Sequence, residues 1–209
     1  MRLEAMAVKI PAFAGHPNRI SFEGVLTLVD VASDKAPSGA RGHRVLLTRA
    51  AAMTALPSLL GMAVDYRPGW DGHDARRKCG IITEADVEGN ALRVSGYLFG
   101  RDFPEVEEQM KRGREGTMGM SYELADAHVE DMRAEVWRLS RATFTGAAIL
   151  LREKAAYGST SFRLTQCRST MRQLARVAEP TRLAARCSKN GSSTWAGEIL
   201  REREGHRWN

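Results

Sequence analysis

The sequence lacks long apolar runs and paired cysteines, and each absence excludes a class of protein. No window approaches roughly 18 consecutive apolar residues, so no membrane-spanning helix is predicted. The N-terminal segment lacks the apolar stretch of a secretory signal, because Glu4 and Lys9 interrupt it. The three cysteines form no Cys-x-x-Cys pair, and an odd number of cysteines is typical of reduced thiols. We therefore expect a cytoplasmic protein without a membrane partner.

Several enzyme classes also lack their sequence signatures. The chain contains no P-loop, no Gly-x-Gly-x-x-Gly after a strand and no Gly-x-Ser-x-Gly elbow. These absences argue against nucleotide-dependent enzymes and α/β-hydrolases. His73, Cys79 and His128 do not have the ligand spacing of a zinc site. We predict neither a cofactor nor a bound metal ion.

The charge of the chain is concentrated in its C-terminal part. The net charge is +6 and the isoelectric point is about 9.5. Residues 1–162 carry 21 Lys and Arg against 21 Asp and Glu, whereas residues 163–209 carry 10 against 4. Such a tail suits nucleic acid or an acidic partner, or it is simply a solvated surface. We predict a β domain over residues 1–160 and a basic, partly disordered tail over 161–209.

The apolar pattern of the predicted domain is typical of strands joined by turns. Thr48 is placed to cap a short helix over residues 49–55, and a second helix is predicted over 103–112. A hairpin is predicted around Glu88-Gly89-Asn90, where the glycine suits a positive φ. Further strands are predicted over residues 21–31, 44–48, 61–66, 78–87, 91–99, 117–127 and 135–149. We expect an α+β fold, mostly antiparallel β, with an open barrel-like core.

His73 is the first candidate for chemistry. It lies in the polar loop sequence Trp-Asp-Gly-His-Asp, between Asp71 and Asp74. Neighbouring carboxylates can orient an imidazole and keep it basic, which suits a general base. The alternative is an ordinary exposed loop histidine.

Ser121 is the second candidate. It lies in Gly-Thr-Met-Gly-Met-Ser-Tyr-Glu-Leu on a predicted strand, two residues after Gly119. A serine hydroxyl becomes a nucleophile only beside a base, and Gly119 is expected to leave room for a substrate or an oxyanion. The alternative is a strand serine without a catalytic role.

The order of these motifs resembles a known protein family. The matching stretches are DGHDARRKCGIIT, ALRVSGYLFGRDFPEV, GTMGMSYEL and VWRLSRATFTGAAILLREKAAY, which together extend over about residues 22–160. Their arrangement resembles that of the prohead (capsid maturation) serine proteases of tailed bacteriophages, relatives of the herpesvirus assemblins. The resemblance implies that His73 is the general base and Ser121 the nucleophile of a serine endopeptidase.

The same resemblance implies partners and a location. The expected substrates are phage scaffold and major capsid proteins, with self-cleavage and a homo-oligomer left open. The expected location is the cytoplasm of the infected or lysogenic bacterial host, within the assembling prohead. A catalytically weakened or inactive capsid-assembly or scaffold-associated protein of the same fold is the alternative. A basic nucleic-acid-binding protein is a third reading, and it depends on the tail alone.

The third catalytic residue is left open by the sequence. If the last hairpin turns near residues 131–132, paired residue numbers add up to about 264, so Ser121 faces Thr143 and Glu123 faces Arg141. Relatives often carry an acid near the position of Arg141, or a histidine in the assemblins. Glu123, Asp71 or Asp74 can orient His73 instead, or the site is a dyad. Arg141 is also a candidate for stabilising the oxyanion.

Other reactive side chains are assigned structural roles. Cys79 is expected to be a small core residue rather than a nucleophile. His43 and His128 are expected to be surface histidines, on a turn and a strand. The alternation of Met118, Met120 and Tyr122 predicts one buried face of a strand.

Overall fold

The computed structural model describes residues 2–4, 16–114 and 116–165, which form mostly strands with two short α-helices. The strands are β1 (Arg2–Glu4), β2 (Arg19–Leu28), β3 (Arg44–Leu47), β4 (Ala63–Tyr66), β5 (Lys78–Glu88), β6 (Ala91–Phe99), β7 (Met118–Val129), β8 (Val136–Leu151) and β9 (Ser161–Thr165). The helices are α1 (Arg49–Ala55) and α2 (Pro104–Arg112), and short 3-10 turns follow α1 and β8. The predicted mostly β, α+β class is confirmed.

All the described strands belong to one curled, half-open sheet. The row runs β7–β8–β4–β5–β6–β2–β9, with β3 beside the first half of β8 and β1 beside the far end of β5. Pairing is antiparallel except where β3 and β4 lie parallel to β8. Because β3 and β4 lie end to end along the same edge of β8, the opposite edge of β8 is left for β7.

The predicted β5–β6 hairpin is confirmed. Glu88 pairs with Ala91, and Gly89 in the turn has a φ of +57°. Leu92, Val94 and Leu98 are buried whereas Arg93 is exposed, as expected from their alternation. This hairpin forms the middle of the sheet and supplies much of its apolar face.

The core lies on one face of the sheet and includes the buried alanines of α1. Met118 and Met120 are buried, and the predicted apolar face of β7 is confirmed. Tyr122 packs edge-on against Phe144 of β8, with ring centroids 5.6 Å apart. Residues of β7 that alternate with Met120 and Tyr122 therefore point to the other side of the sheet.

Residues 161–165, at the start of the predicted tail, pair with β2 as β9. The rest of that tail, residues 166–209, lies outside the described residues. Within the described part of the chain, no helix has the length and apolarity needed to cross a membrane.

Helix α1 supplies a test of local stability. The Thr48 hydroxyl accepts a hydrogen bond from Ala51 N at 3.3 Å and donates one to the Leu139 carbonyl at 3.0 Å. Thr48→Ala is expected to lower the free energy of unfolding by about 1 kcal/mol, because the cap is lost. Thr54→Ala, an exposed threonine in the same helix, is the control and is expected to have little effect. Urea denaturation of both variants checks this; equal stability of the two would contradict the cap.

Candidate active site

His73 lies in a loop that folds back over the sheet between β4 and β5. Gly69 and Trp70 have positive φ values of +97° and +59°, which turn the chain sharply. Trp70 stacks on Tyr66 at 4.9 Å, and its carbonyl accepts a hydrogen bond from Leu151 N at 2.7 Å. The loop is thus anchored to the ends of β4 and β8. The His73 side chain is only 17% exposed, so it is not the exposed loop histidine of the alternative.

A buried carboxylate faces this histidine. Asp65 of β4 is 1% exposed, and its Oδ1 lies 3.3 Å from His73 Nδ1. Its other oxygen, Oδ2, accepts a hydrogen bond from Lys78 Nζ at 2.7 Å. Asp65 and Lys78 are directly opposite each other in the β4–β5 pairing, next to an irregularity after Val64. Cross-strand placement therefore supplies the countercharge that a buried carboxylate requires.

The environment of Asp65 favours its charged form. Burial acts to raise its pKa, but the close contact with His73 together with the hydrogen bond and charge of Lys78 outweighs burial. The pKa of Asp65 consequently lies below its ordinary value of 3.8. At neutral pH, His73 therefore faces a carboxylate rather than a carboxylic acid, and a carboxylate can hold the Nδ1 proton of an imidazole.

Ser121 lies on the same side of the sheet as Asp65. Ala148 of β8 pairs with Asp65 on one side and with Ser121 on the other. Laterally paired residues point to the same face, and two strand spacings separate the outer backbones by about 9–10 Å. Ala148 has only a methyl group between them, which leaves a gap that an imidazole ring can fill.

Glu123 provides a second, weaker contact to the histidine. Its Oε1 lies 3.9 Å from His73 Nδ1, and its side chain is 55% exposed. It pairs with Gly146 of β8, where an added Cβ would lie only 2.6 Å from Glu123 Oε2. The missing side chain at Gly146 therefore lets Glu123 lean across β8 towards His73.

The two other predicted carboxylates are paired elsewhere. Asp71 lies 3.8 Å from Arg67, and Asp74 lies 3.1 Å from Arg76 and 3.8 Å from Arg77. Of the three acids suggested by the sequence, Glu123 is the one whose contact with His73 is observed. Asp65 was missed, although a single acid between apolar residues in Gly-Met-Ala-Val-Asp-Tyr was a usable signal.

The predicted register of the last hairpin is wrong. Ser121 pairs with Ala148 rather than Thr143, and Glu123 pairs with Gly146 rather than Arg141. The turn lies over residues 130–135, further along the chain than expected, and register shifts interrupt the ladder. Arg141 pairs with His128 nearer the tip, so neither its position opposite Glu123 nor an oxyanion role follows from the structure.

Gly119 does not provide the expected room for a substrate. It is buried, and an added Cβ would lie 2.6 Å from Thr160 Oγ1 and 3.1 Å from Arg152 Cα. Its lack of a side chain instead permits close packing of β7 against the segment that follows β8. Stabilisation of an oxyanion would have to come from other groups.

Of the remaining reactive residues, Cys79 and His128 have the positions expected from the sequence, whereas His43 differs. Cys79 is fully buried, and burial raises the pKa of its thiol to about 12, which disfavours a nucleophilic thiolate. His128 is exposed on β7, and its Nδ1 lies 2.8 Å from Ser140 Oγ. His43 is half-buried rather than fully exposed, because it stacks on Trp137 at 4.6 Å.

The site as a whole contains a serine, a histidine and a buried carboxylate. The imidazole ring of the histidine makes no hydrogen bond to either of the other two groups. In the described part of the chain, neither His73 ring nitrogen has a hydrogen-bond partner, and neither does Asp65 Oδ1. The 3.3 Å contact between Asp65 and His73 is therefore close but not aligned as a hydrogen bond. Comparison with family models and with curated proteins finds no match to this chain.

Removing Lys78 is expected to destabilise the fold in a pH-dependent way. Lys78→Met leaves the Asp65 carboxylate buried without its strongest partner, which costs about 2 kcal/mol near neutral pH. The pKa of Asp65 is lowered in the folded protein, so its ion pair stabilises above the ordinary value of 3.8 and is lost as the pH falls through the lowered value. The difference from wild type should therefore shrink in acid.

Urea denaturation of wild type and Lys78→Met near neutral pH and at acidic pH measures this difference. Lys111→Met is the matched control, because Lys111 is 71% exposed and forms an ion pair with Glu107 on the same helix, α2. A Lys78→Met deficit that is the same at both pH values would show that the ion pair is not its origin.

Proposed function

We propose that this chain is a serine endopeptidase that processes scaffold and major capsid proteins during prohead maturation. The observation that carries the proposal is the position of His73 against the buried Asp65, on the sheet face that bears Ser121. The resemblance of the ordered motifs to prohead proteases supports the same function. Under this proposal the fold is of the assemblin type and the site acts within the assembling prohead, in the cytoplasm of the bacterial host.

The reaction would be acyl transfer through Ser121. Ser121 Oγ attacks the peptide carbonyl carbon while His73 Nε2 takes its proton, and Asp65 stabilises the resulting imidazolium. The tetrahedral intermediate then expels the amine, which receives the proton from His73. Water, deprotonated by the same imidazole, hydrolyses the ester and regenerates the Ser121 hydroxyl.

The site requires a small adjustment before this reaction. His73 makes no hydrogen bond to Ser121, and catalytic hydrogen bonds are often formed only when substrate binds. Ser121 and Glu123 occupy alternate positions on one strand, so their Cα atoms are about 6–7 Å apart. The proposal therefore requires a change of side-chain rotamers that brings His73 Nε2 to Ser121 Oγ.

A second candidate function is favoured by the same missing hydrogen bonds. An assembly protein that kept the fold and lost full activity would also carry an unpaired histidine near an unactivated serine. In that case, the basic C-terminal tail would provide contacts to acidic scaffold or DNA. The two candidates differ in one respect, which is whether peptide bonds are cut.

Co-expression with phage scaffold and major capsid proteins distinguishes the two candidates. Products are sized by intact-mass spectrometry for wild type and Ser121→Ala. The protease proposal predicts shortened capsid or scaffold products with wild type only. Identical products for both chains would refute it and favour the assembly protein.

A further inference from the structure

An arginine-lined cleft opens beside the candidate site. Its volume is about 790 Å³, and His73 forms part of its wall. The other polar side chains that line it are Arg67, Asp74, Arg76 and Arg77, and Phe103 contributes an apolar surface. An extended peptide advances about 3.3 Å per residue. When its scissile carbonyl lies near His73, residues a few positions away would therefore lie in this cleft.

The cleft contains more guanidinium groups than lining carboxylates. Arg76 and Arg77 share Asp74, and Arg76 is 90% exposed. Arg77 also contacts Glu105 of α2 at 3.7 Å and donates to the Tyr66 hydroxyl at 3.3 Å. Each guanidinium has five N–H donors, so these contacts leave donors free on Arg76 in particular.

Arg67 is the arginine of the three that a neighbouring carboxylate holds most weakly. Among the described residues its one acidic contact is Asp71, 3.8 Å away, and both side chains are about half exposed. Exposed ion pairs at such distances contribute little, so a ligand carboxylate can replace Asp71 at small cost. An arginine fork binds a carboxylate through two parallel hydrogen bonds, which gives orientation as well as charge complementarity.

We propose that this cleft makes the enzyme selective for substrates with a glutamate or aspartate within a few residues of the scissile bond, with Arg67 as the main contact. This inference rests on the proposed protease function and adds its substrate class. Arg77 is more firmly held by Glu105 and Tyr66 and acts mainly to support the wall of the cleft. Phe103 would pack against the methylene groups of the bound side chain.

A synthetic peptide library tests this selectivity. Peptides identical except for Glu, Gln, Ala or Lys at each position around a cleaved bond are digested and their products quantified by mass spectrometry. We expect kcat/KM for the best Glu peptide to exceed that of its Gln counterpart by about 10–100-fold, the range of one charge-assisted contact. Equal rates for Glu and Gln at every position would overturn the inference.

Variants locate the preference within the cleft. Arg67→Gln is expected to remove most of the Glu preference, because KM for the Glu peptide rises towards that of its Gln counterpart. Arg101→Gln is the matched control, because Arg101 is exposed and does not line the cleft. If Arg67→Gln keeps the same Glu preference as wild type, the selectivity arises from other residues and the role of Arg67 is overturned. Cleavage without acidic preference overturns this inference alone, whereas no cleavage of any peptide overturns the proposed function with it.

Discussion

Ser121→Ala and His73→Ala are each expected to lower kcat for peptide hydrolysis by about 10⁶-fold. Without the Ser121 hydroxyl no acyl-enzyme forms, and without His73 the hydroxyl keeps its proton and is a poor nucleophile. Because the two groups act in one step, the double variant should be no less active than either single variant. Progress curves with a cleaved peptide measure all three variants.

The hairpin that carries Ser121 supplies its own matched controls. Ser140 and His128 form a hydrogen-bonded Ser–His pair near the exposed tip, at 2.8 Å. Ser140→Ala and His128→Ala change the same residue types in the same hairpin and are expected to retain wild-type activity. If these variants lose activity and Ser121→Ala keeps it, the Ser140–His128 pair at the tip is the catalytic one and the proposed site is contradicted.

Asp65→Asn is expected to lower kcat by about 10⁴-fold, whereas Glu123→Gln lowers it by no more than about tenfold. Asp65 is buried and 3.3 Å from His73 Nδ1, while Glu123 is largely exposed at 3.9 Å. An amide in place of the carboxylate no longer stabilises the imidazolium, and its NH₂ group can present a donor to Nδ1. A larger loss in Glu123→Gln than in Asp65→Asn would identify Glu123 as the orienting residue instead.

Loss of activity in Asp65→Asn must be separated from loss of structure. The substitution leaves the Lys78 ammonium without its carboxylate partner, so the single variant is expected to be less stable. The double variant Asp65→Asn/Lys78→Met removes both charges and should recover part of the stability measured by urea denaturation. Its kcat should remain about 10⁴-fold low, since the histidine still lacks its carboxylate; recovery of activity would show that Asp65 is only structural.

Much of the fold could be predicted from local patterns. The β5–β6 hairpin has a short turn with Gly89 at positive φ and clear alternation, so both its ends are fixed by neighbouring residues. Helix α1 is similarly determined by the Thr48 cap and the proline that follows. These features depend on residues within a few positions of each other, which is the range over which propensities act.

The site depends on contacts that local patterns do not define. The turn of the β7–β8 hairpin lies later in the chain than a tight turn at residues 131–132 would place it, and this moves Arg141 away from Glu123. Asp65 and Ser121 lie on the same face because β4 pairs in parallel with β8, and these two strands are far apart in sequence. The partner of His73 therefore follows from register and topology, whereas His73 and Ser121 were suggested by their motifs.

The most direct measurement is covalent labelling with a fluorophosphonate. An activated serine attacks the phosphorus, fluoride leaves, and the mass of one phosphonyl group is added to the protein. We predict a single adduct, mapped to Ser121 by peptide mass spectrometry. The adduct should be lost in His73→Ala and retained in His128→Ala and Ser140→Ala. Absence of an adduct on wild type, or an adduct that forms on Ser121 equally well without His73, would contradict a serine nucleophile activated by His73.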